Sequence, residues 1–342
     1  MPSDISFKPK QISKALLSSL PDRARDVIRK RYGLDGERYT LESIGQEYGI
    51  TRERVRQIEN FALKLIRQSQ DFKAASQVFA ELADLLEKYG SVVHEDLFLA
   101  DLTKDPITQN HIYLLLVAGE PFTRLKEDDH FVHRWTTDVD VADKVHTALK
   151  DLHDSLSTSD LLTEEELIDS FTHKLKSCFK EASIEPDKAK RWLQISKCVS
   201  ANPLGEWGLD SSPNIKIRGI RDCAFLVMRR HGSPMHFREI AKKITETFGK
   251  EAHLATCHNE VIKDDRFVLV GRGLYALTEW GYTKGVVRDV IREILKKEGP
   301  LTKEEIIQRV SKERYVKENT ILVNLQNANY FKKTKDGKYL AV

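Results

Sequence analysis

Cysteine is scarce in this sequence of 342 residues, and its four thiols stand far apart. Cys178, Cys198, Cys223 and Cys257 include no CxxC pair, which argues against a zinc ribbon, a redox motif or a disulfide framework. Long apolar runs are also lacking. The most apolar run, IYLLLVAG from Ile112, is far shorter than the roughly 20 residues that cross a bilayer, and the N-terminus has no apolar signal core. We therefore expect reduced, packed thiols and a cytoplasmic protein.

No segment is rich enough in Gly, Ser and Pro to indicate a long disordered tail. A hydrophobic content of 40% with 31% charged residues is ordinary for a folded soluble chain. A chain of 342 residues is longer than a domain with one compact core usually is. We therefore expect several small domains, each burying its own core.

The net charge of +3 hides an uneven distribution of charge along the chain. Residues 1–70 hold 14 Lys and Arg against 9 Asp and Glu, residues 71–215 hold 15 against 27, and residues 216–342 hold 26 against 16. Two basic ends flank an acidic middle. The ends can meet a polyanion, whereas the middle is expected to bind protein or the basic ends of the same chain.

Three of the four tryptophans recur at a nearly constant spacing. Trp135 and Trp207 are 72 residues apart, and Trp207 and Trp280 are 73 apart. Each stands late in a segment that can form paired strands and shortly before a helical pattern. The spacing predicts a repeated domain in which the tryptophans are core anchors rather than ligand contacts.

The clearest copy of this repeat predicts a winged helix. One helical pattern ends at Gly232, a second ends at Gly249, and a third precedes RFVLVGRGLYALT, which alternates around Gly271 and Gly273 like a hairpin. The same order follows to the C-terminus, with a Thr302 to Glu305 capping box and an Asp-Gly turn. The pattern is fainter upstream, where Thr163 and Glu166 form a second capping box.

The predicted fold is therefore mainly α and multidomain. An N-terminal helix-turn-helix domain over residues 1–70 is followed by tandem winged-helix modules with small β-hairpin wings. The predicted modules are 71–140 and 141–215, both acidic, and 216–283 and 284–342, both basic.

The stretch LESIGQEYGITRERVRQIENFALKLI, residues 41–66, has the spacing of a helix-turn-helix. Gly45 is small where two helices must approach, and Gly49 suits the turn. The residues expected to pack the pair together are Ile44, Ile50, Val55 and Ile58. Thr51 is the predicted N-cap of the second helix.

This second helix divides into two parts. Its predicted buried face consists of Val55, Ile58, Ala62, Leu65 and Ile66. Its N-terminal end leaves Arg52, Glu53, Arg54, Arg56 and Gln57 outward. In the major groove, arginine can hydrogen-bond to guanine, glutamine can hydrogen-bond to adenine, and glutamate can accept a hydrogen bond from cytosine. The first turns of this helix are therefore suited to reading bases in the major groove. A solvated charged face is the plain alternative, but the surrounding helix-turn-helix favours DNA.

Residues 20–67 resemble region 4 of the principal bacterial sigma factors, in both the LPDRARDVIRKRYGLDG lead-in and the TRERVRQIE signature. The resemblance implies recognition of the minus-35 promoter element and docking on the β flap of RNA polymerase. It implies that Arg52, Glu53 and Gln57 face bases and that Arg54 and Arg56 lie toward phosphates or activators. The helix at 22–31 would hold polymerase or DNA backbone. Because nothing upstream of Leu20 is long enough for region 2, we expect no promoter melting by this chain alone.

Residues 219–282, with GSPMHFREIAKKI and DDRFVLVGRGLYALTEWGY, resemble the HARE-HTH family of winged helices, also found in the delta subunit of Gram-positive RNA polymerase. The resemblance implies a binding module without catalytic residues.

Basic side chains of the last two modules are suited to phosphate contacts. The main candidates are Arg272 in the third predicted module and Lys332, Lys333 and Lys335 in the last wing. Further candidates in the same two modules are Arg229, Arg230, Lys242, Lys243 and Lys338. A solvated lysine-rich surface is an equal alternative, and base reading is not evident there.

Catalytic and metal-binding motifs are weak. GRG at 271–273 lacks the lysine of a phosphate loop, and DGK at 336–338 fits a turn better than a nuclease site. His253, Cys257 and His258 share part of a helix face without a visible fourth ligand. We predict no enzymatic activity, no cofactor and no metal site.

Three functions remain open. The leading one is a regulator that binds promoter DNA through Arg52, Glu53 and Gln57 and engages RNA polymerase without replacing the full sigma factor. The second is a polymerase-associated scaffold or delta-like subunit whose modules mainly bind protein. The third is the DNA-binding component of a restriction-modification system, with catalysis supplied by another chain.

Overall fold

The computed structural model describes residues 5–179, 184–282, 285–334 and 336–342. The chain divides into two compact units: residues 1–201 with 205–211, and residues 202–204 with 212–342. The fold is mainly α, with small antiparallel sheets. Among the described residues, no helix combines the length and apolarity needed to cross a membrane.

The first unit begins with an N-terminal helical domain, residues 9–74. Its helices are α1 (Pro9–Ser18), α2 (Asp22–Tyr32), α3 (Leu41–Tyr48), α4 (Arg52–Gln68) and α5 (Gln70–Ala74). Helices α2 and α3 both end at glycines in the left-handed conformation, Gly33 and Gly49. Thr40 caps α3 by accepting a hydrogen bond from the Ser43 amide.

The first module, residues 76–136, is a winged helix with a three-stranded sheet. Its elements are α6 (Ser76–Lys88), β1 (Val92–His94), α7 (Glu95–Leu102), α8 (Pro106–Ala118), β2 (Thr123–Leu125) and β3 (Arg134–Thr136). The antiparallel sheet has the order β1-β3-β2, so the central strand is the last one in sequence. Trp135 stands opposite Val93 on one side and Arg124 on the other.

The second module, residues 139–209, repeats the same order with a reduced sheet. Its elements are α9 (Val139–Ser155), α10 (Glu164–Cys178), α11 (Pro186–Leu193), β4 (Val199–Ala201) and β5 (Trp207–Leu209). Leu162 forms an isolated antiparallel bridge to Trp207, where the first module has β1. The predicted capping box of Thr163 and Glu166 is confirmed at the start of α10.

The second unit contains two further modules in the same order. The third module, residues 220–280, consists of α12 (Ile220–His231), β6 (Met235–His236), α13 (Phe237–Phe248), α14 (Leu254–Lys263), β7 (Phe267–Gly271), β8 (Leu274–Leu277) and the 3-10 helix Thr278–Trp280. Its sheet order, β6-β8-β7, matches that of the first module.

The fourth module, residues 287–341, consists of α15 (Val287–Glu298), α16 (Lys303–Glu313), α17 (Glu318–Leu325), β9 (Phe331–Lys333) and β10 (Tyr339–Ala341). Leu301 bridges Tyr339 antiparallel, again at the position of β1. The predicted Thr302 to Glu305 capping box is confirmed.

The recurring tryptophans all lie at the end of a module's sheet. Trp135 on β3 is 1% exposed, so it is the core anchor that the spacing predicts. Trp207 on β5 and Trp280 in the 3-10 helix are half-buried and pack against the edges of their cores.

The expectation that each domain buries its own core is wrong for the N-terminal domain and the first module. One apolar cluster runs from Leu16 through Ile66 and Phe98 to Trp135, and it joins side chains of both. A second cluster combines Val92 and Phe131 of the first module with the second module's core. Among the described residues of the first unit, two clusters therefore cross module boundaries, and the helix-turn-helix adds a small cluster of its own, formed by Val27, Ile44 and Val55.

A buried histidine in this unit makes its stability sensitive to acid. Arg134 Nε donates to His146 Nε2 at 2.7 Å. Burial, followed by the Arg134 charge and opposed by Asp143 and Asp128, lowers the pKa of His146 from 6.5 to about 4. The unfolded histidine takes up a proton near pH 6.5 while the folded one stays neutral, so stability falls as the pH drops from 7 toward 4.

We expect His146 to account for a loss of roughly 2 kcal/mol of unfolding free energy between pH 7 and pH 5. Replacing it by His146→Gln keeps an acceptor for Arg134 and removes the titrating group. Urea denaturation of both proteins at the two pH values measures the difference. Equal losses in both proteins would contradict this assignment.

Candidate nucleic-acid interface

The turn between α3 and α4 holds the two helices at very short range. A Cβ on Gly45 would lie 2.7 Å from the Ile50 carbonyl oxygen, so the predicted need for a small residue is confirmed. The Ile50 amide donates to the Gly45 carbonyl oxygen at 2.9 Å. Val27, Ile44 and Val55 form the local core. The helix-turn-helix is therefore fixed by backbone contact as well as by packing.

Helix α4 begins as the sequence predicts. Thr51 is the N-cap, and its hydroxyl accepts from the Arg54 amide at 3.2 Å. The five predicted groups on the first two turns are all exposed: Arg52, Glu53, Arg54, Arg56 and Gln57. The structure therefore brings the predicted site residues of this helix together on one accessible end.

These side chains are partly ordered by contacts within the helix. Arg56 donates from Nε and Nη2 to the Glu53 carboxylate at 2.8 and 2.7 Å. This pair lowers the pKa of Glu53 and raises that of Arg56. Arg54 Nη1 donates to Gln57 Oε1 at 3.0 Å. Arg52 makes no hydrogen bond or ion pair with any described residue, so its guanidinium is available to a ligand.

The rest of α4 anchors the helix. Val55, Ala62 and Ile66 are buried as predicted, whereas Ile58 and Leu65 are only partly buried. The pattern missed Leu63, which is buried because the first module covers a second side of the helix. Arg67 donates to the Ala118 and Val117 carbonyl oxygens at 3.0 and 2.9 Å and ties the end of α4 to α8. The N-terminal end of α4 thus projects from a fixed base.

Helix α2 is joined to the helix-turn-helix by polar contacts. Tyr48 donates to Asp26, and Lys30 lies between Asp26, at 3.0 Å, and Glu47. These carboxylates raise the pKa of Lys30. Arg23 and Arg29 remain exposed on α2. Part of the helix that the resemblance assigns to polymerase or DNA backbone is therefore accessible.

Three basic candidates of the second unit lie on its wings. Arg272 is exposed in the turn between β7 and β8, and Lys332 and Lys333 are exposed on β9. Lys335, the fourth candidate, lies outside the described residues.

The four thiols are free. In the part of the chain that the structure describes, no three His, Cys, Asp or Glu side chains are grouped to hold a metal ion. Of the three residues considered for metal binding, Cys257 is buried and its pKa is raised by burial to about 11, His258 packs on Phe237, and His253 is the N-cap of α14.

Two segments match known families. Residues 16–68 match "Sigma-70, region 4", and residues 219–280 match HARE-HTH, a helix-turn-helix domain family whose description names ASXL and restriction endonuclease. The first match contains the helix-turn-helix and the second contains the third module, so both resemblances are confirmed. Both segments are helix-turn-helix modules rather than catalytic domains.

The relatives that match the first segment are bacterial sigma factors. The RNA polymerase sigma factor SigA1 of Synechococcus elongatus is 56% identical over 55 residues, 16% of this chain and 14% of the relative. SigA of a Nostoc species is 50% identical over 74 residues, 19% of each chain. SigA of Listeria monocytogenes is 44% identical over 73 residues, 21% of this chain and 18% of the relative. The chain thus spans less than a fifth of the length of these relatives.

Proposed function

We propose that this protein is a DNA-binding transcription factor that recognises minus-35-type promoter DNA through α4 and associates with RNA polymerase. The observation that carries the proposal is the division of α4 into an exposed, arginine-rich N-terminal end and a buried remainder. The match of residues 16–68 to region 4 and the sigma-factor relatives support both parts of the proposal, DNA binding and association with RNA polymerase. It acts by binding and not as an enzyme.

In this proposal Arg52, Glu53 and Gln57 contact base edges in the major groove, and Arg54 and Arg56 contact phosphates. The Thr51 cap and the helix dipole place a partial positive charge at the same end, which favours a nearby phosphate. Arg272, Lys332, Lys333 and Lys335 add phosphate contacts from the second unit. The exposed arginines of α2, Arg23 and Arg29, face the polymerase β flap.

The direct test is the base preference of α4. Gln57→Ala should cost about 1–3 kcal/mol of discrimination between a minus-35 consensus hexamer and a scrambled one, because a side-chain contact to a base edge is lost. Fluorescence anisotropy of labelled duplexes over a salt series measures this. Lys64→Ala, an exposed residue about two turns further along α4, is the matched control and should leave the preference unchanged.

A wild-type protein that binds both duplexes equally would overturn base reading by α4. Co-purification with core polymerase that persists in Arg52→Ala and Gln57→Ala proteins lacking any DNA preference would instead favour the scaffold function. That second candidate is favoured by the charge of residues 71–215, which hold 15 Lys and Arg against 27 Asp and Glu and are therefore repelled by phosphates.

A further inference from the structure

The third helices of the first, second and fourth modules differ in what covers them. In a winged helix the second and third helices form the helix-turn-helix pair, and the later helix is the one that enters the major groove. In the first module this helix, α8, is covered by α1 and α2, and Asn110 donates to the Gly33 carbonyl oxygen at 2.8 Å. In the second module α11 packs on β1, and Arg191 lies 4.2 Å from the Tyr89 ring. Both helices are therefore packed against a neighbouring part of the first unit.

Helix α17 of the fourth module is different, because one face of it is open. Ile321 and Leu325 are buried, whereas Asn319 and Thr320 are exposed and Val323 is 66% exposed. Asparagine pairs with adenine N6 and N7, and apolar or threonine methyl groups contact the thymine methyl. The open face therefore offers the side-chain types that read A·T pairs, placed at the N-terminal end of the helix that base-reading helices use.

Positive groups are carried by the chain segments next to α17. The Tyr315 amide donates to the Val270 carbonyl oxygen at 2.8 Å, so the wing of the third module, which carries exposed Arg272, contacts the segment just before α17. Only glycine permits this approach, since a Cβ on Gly271 would lie 2.9 Å from the Tyr315 carbonyl oxygen. Strand β9 of the fourth module's own wing shares a core with α17 through Phe331, and its Lys332 and Lys333 are exposed.

The N-terminus of α17 also lacks a side-chain cap. Its N-cap, Lys317, makes no side-chain capping hydrogen bond; the Thr320 amide donates to the Lys317 carbonyl oxygen at 2.9 Å, and the earlier first-turn amides and the positive helix dipole remain for a phosphate. Glu318, the first residue of α17, is an exposed acidic group. With 26 Lys and Arg against 16 Asp and Glu over residues 216–342, the charge of this part of the chain favours a polyanion over an average protein surface.

We infer that α17 is a second base-reading helix, which takes the major groove of A·T-containing duplex DNA. Arg272 and the β9 lysines bind the flanking phosphates. Neighbouring strand residues point to opposite faces, so one of Lys332 and Lys333 makes the closer phosphate contact. This site is independent of α4, and the whole protein then carries two readers of DNA.

The test uses the full-length Arg52→Ala/Glu53→Ala/Gln57→Ala protein, which lacks the three proposed base-reading side chains of α4. Its affinities for two labelled duplexes of equal length, one A·T-rich and one G·C-rich, are measured by fluorescence anisotropy. We expect tighter binding to the A·T-rich duplex. Asn319→Ala should reduce the ratio of the two affinities roughly 5- to 150-fold, or make the affinities equal, because a bidentate base contact is lost. Val323→Ser, which removes a methyl contact without touching the first turn, should reduce it as well.

The Lys332→Ala and Lys333→Ala proteins distinguish the contribution of phosphate contacts from that of base contacts. At least one should weaken binding to both duplexes equally and lower the salt slope by about 1, while exposed Lys250→Ala on the third module should change neither.

The inference is overturned by equal binding of both duplexes in the parent protein, or by a preference that survives Asn319→Ala and Val323→Ser. An Asn319→Ala protein that keeps its preference and loses core polymerase would also overturn it, and would assign the face to protein. Because the parent protein lacks α4 reading, these outcomes do not depend on the minus-35 proposal.

Discussion

Trp135→Ala should destabilise the first unit by about 3–5 kcal/mol, the usual effect of deleting a buried tryptophan side chain. Trp135 is 1% exposed and lies on the central strand β3. Its ring packs edge-on against Tyr113 with centroids 5.9 Å apart, and Tyr113 in turn contacts Tyr32 of the N-terminal domain. The cavity would therefore open where the N-terminal domain and the first module share their core.

Trp135→Phe is the matched control for this substitution. The indole Nε1 is buried, and no group among the described residues accepts a hydrogen bond from it. Phenylalanine removes this unpaired donor and retains much of the apolar volume, so the two changes offset each other in part. Urea unfolding should therefore give a much smaller loss for phenylalanine than for alanine. Equal losses would mean that the site does not depend on ring packing.

Gly45→Val should unfold the helix-turn-helix turn and remove sequence-specific DNA binding together. The new Cβ would meet the Ile50 carbonyl oxygen at 2.7 Å, and that oxygen is backbone, so the contact can be relieved only by moving α4 away from α3. Overpacking of this kind costs about 1–3 kcal/mol and sometimes more. The displaced α4 no longer presents its first turns from a fixed base, so the consensus preference should fall toward equality.

Gly36→Val serves as the comparison for Gly45→Val. Gly36 is exposed, and a Cβ there would meet nothing within 4 Å. Urea unfolding and anisotropy on the consensus duplex should both stay close to wild type. A Gly45→Val protein with wild-type stability and unchanged preference would show that the short turn does not position α4.

The helix-turn-helix could be predicted almost completely from sequence. Thr51, Gly49 and the apolar residues Ile44 and Val55 all lie within one short stretch of chain, and capping, turn geometry and helix periodicity are local effects. The capping boxes at Thr163 and Thr302 were predictable for the same reason. Isolated bridges were not: Leu162 to Trp207 and Leu301 to Tyr339 join residues far apart in the chain, and a single bridging residue has no period to detect.

The sequence by itself determined the local elements, their repeated order and the exposed, arginine-rich end of α4, because each depends on residues within one or two helical turns. Only the tertiary structure decided which helices are free. Periodicity identifies an apolar face without identifying what covers it, so α8 and α17 look alike as third helices of winged modules. Helix α8 is packed against α1 and α2 of the N-terminal domain, whereas one face of α17 is exposed and the wing of the third module contacts the segment before it.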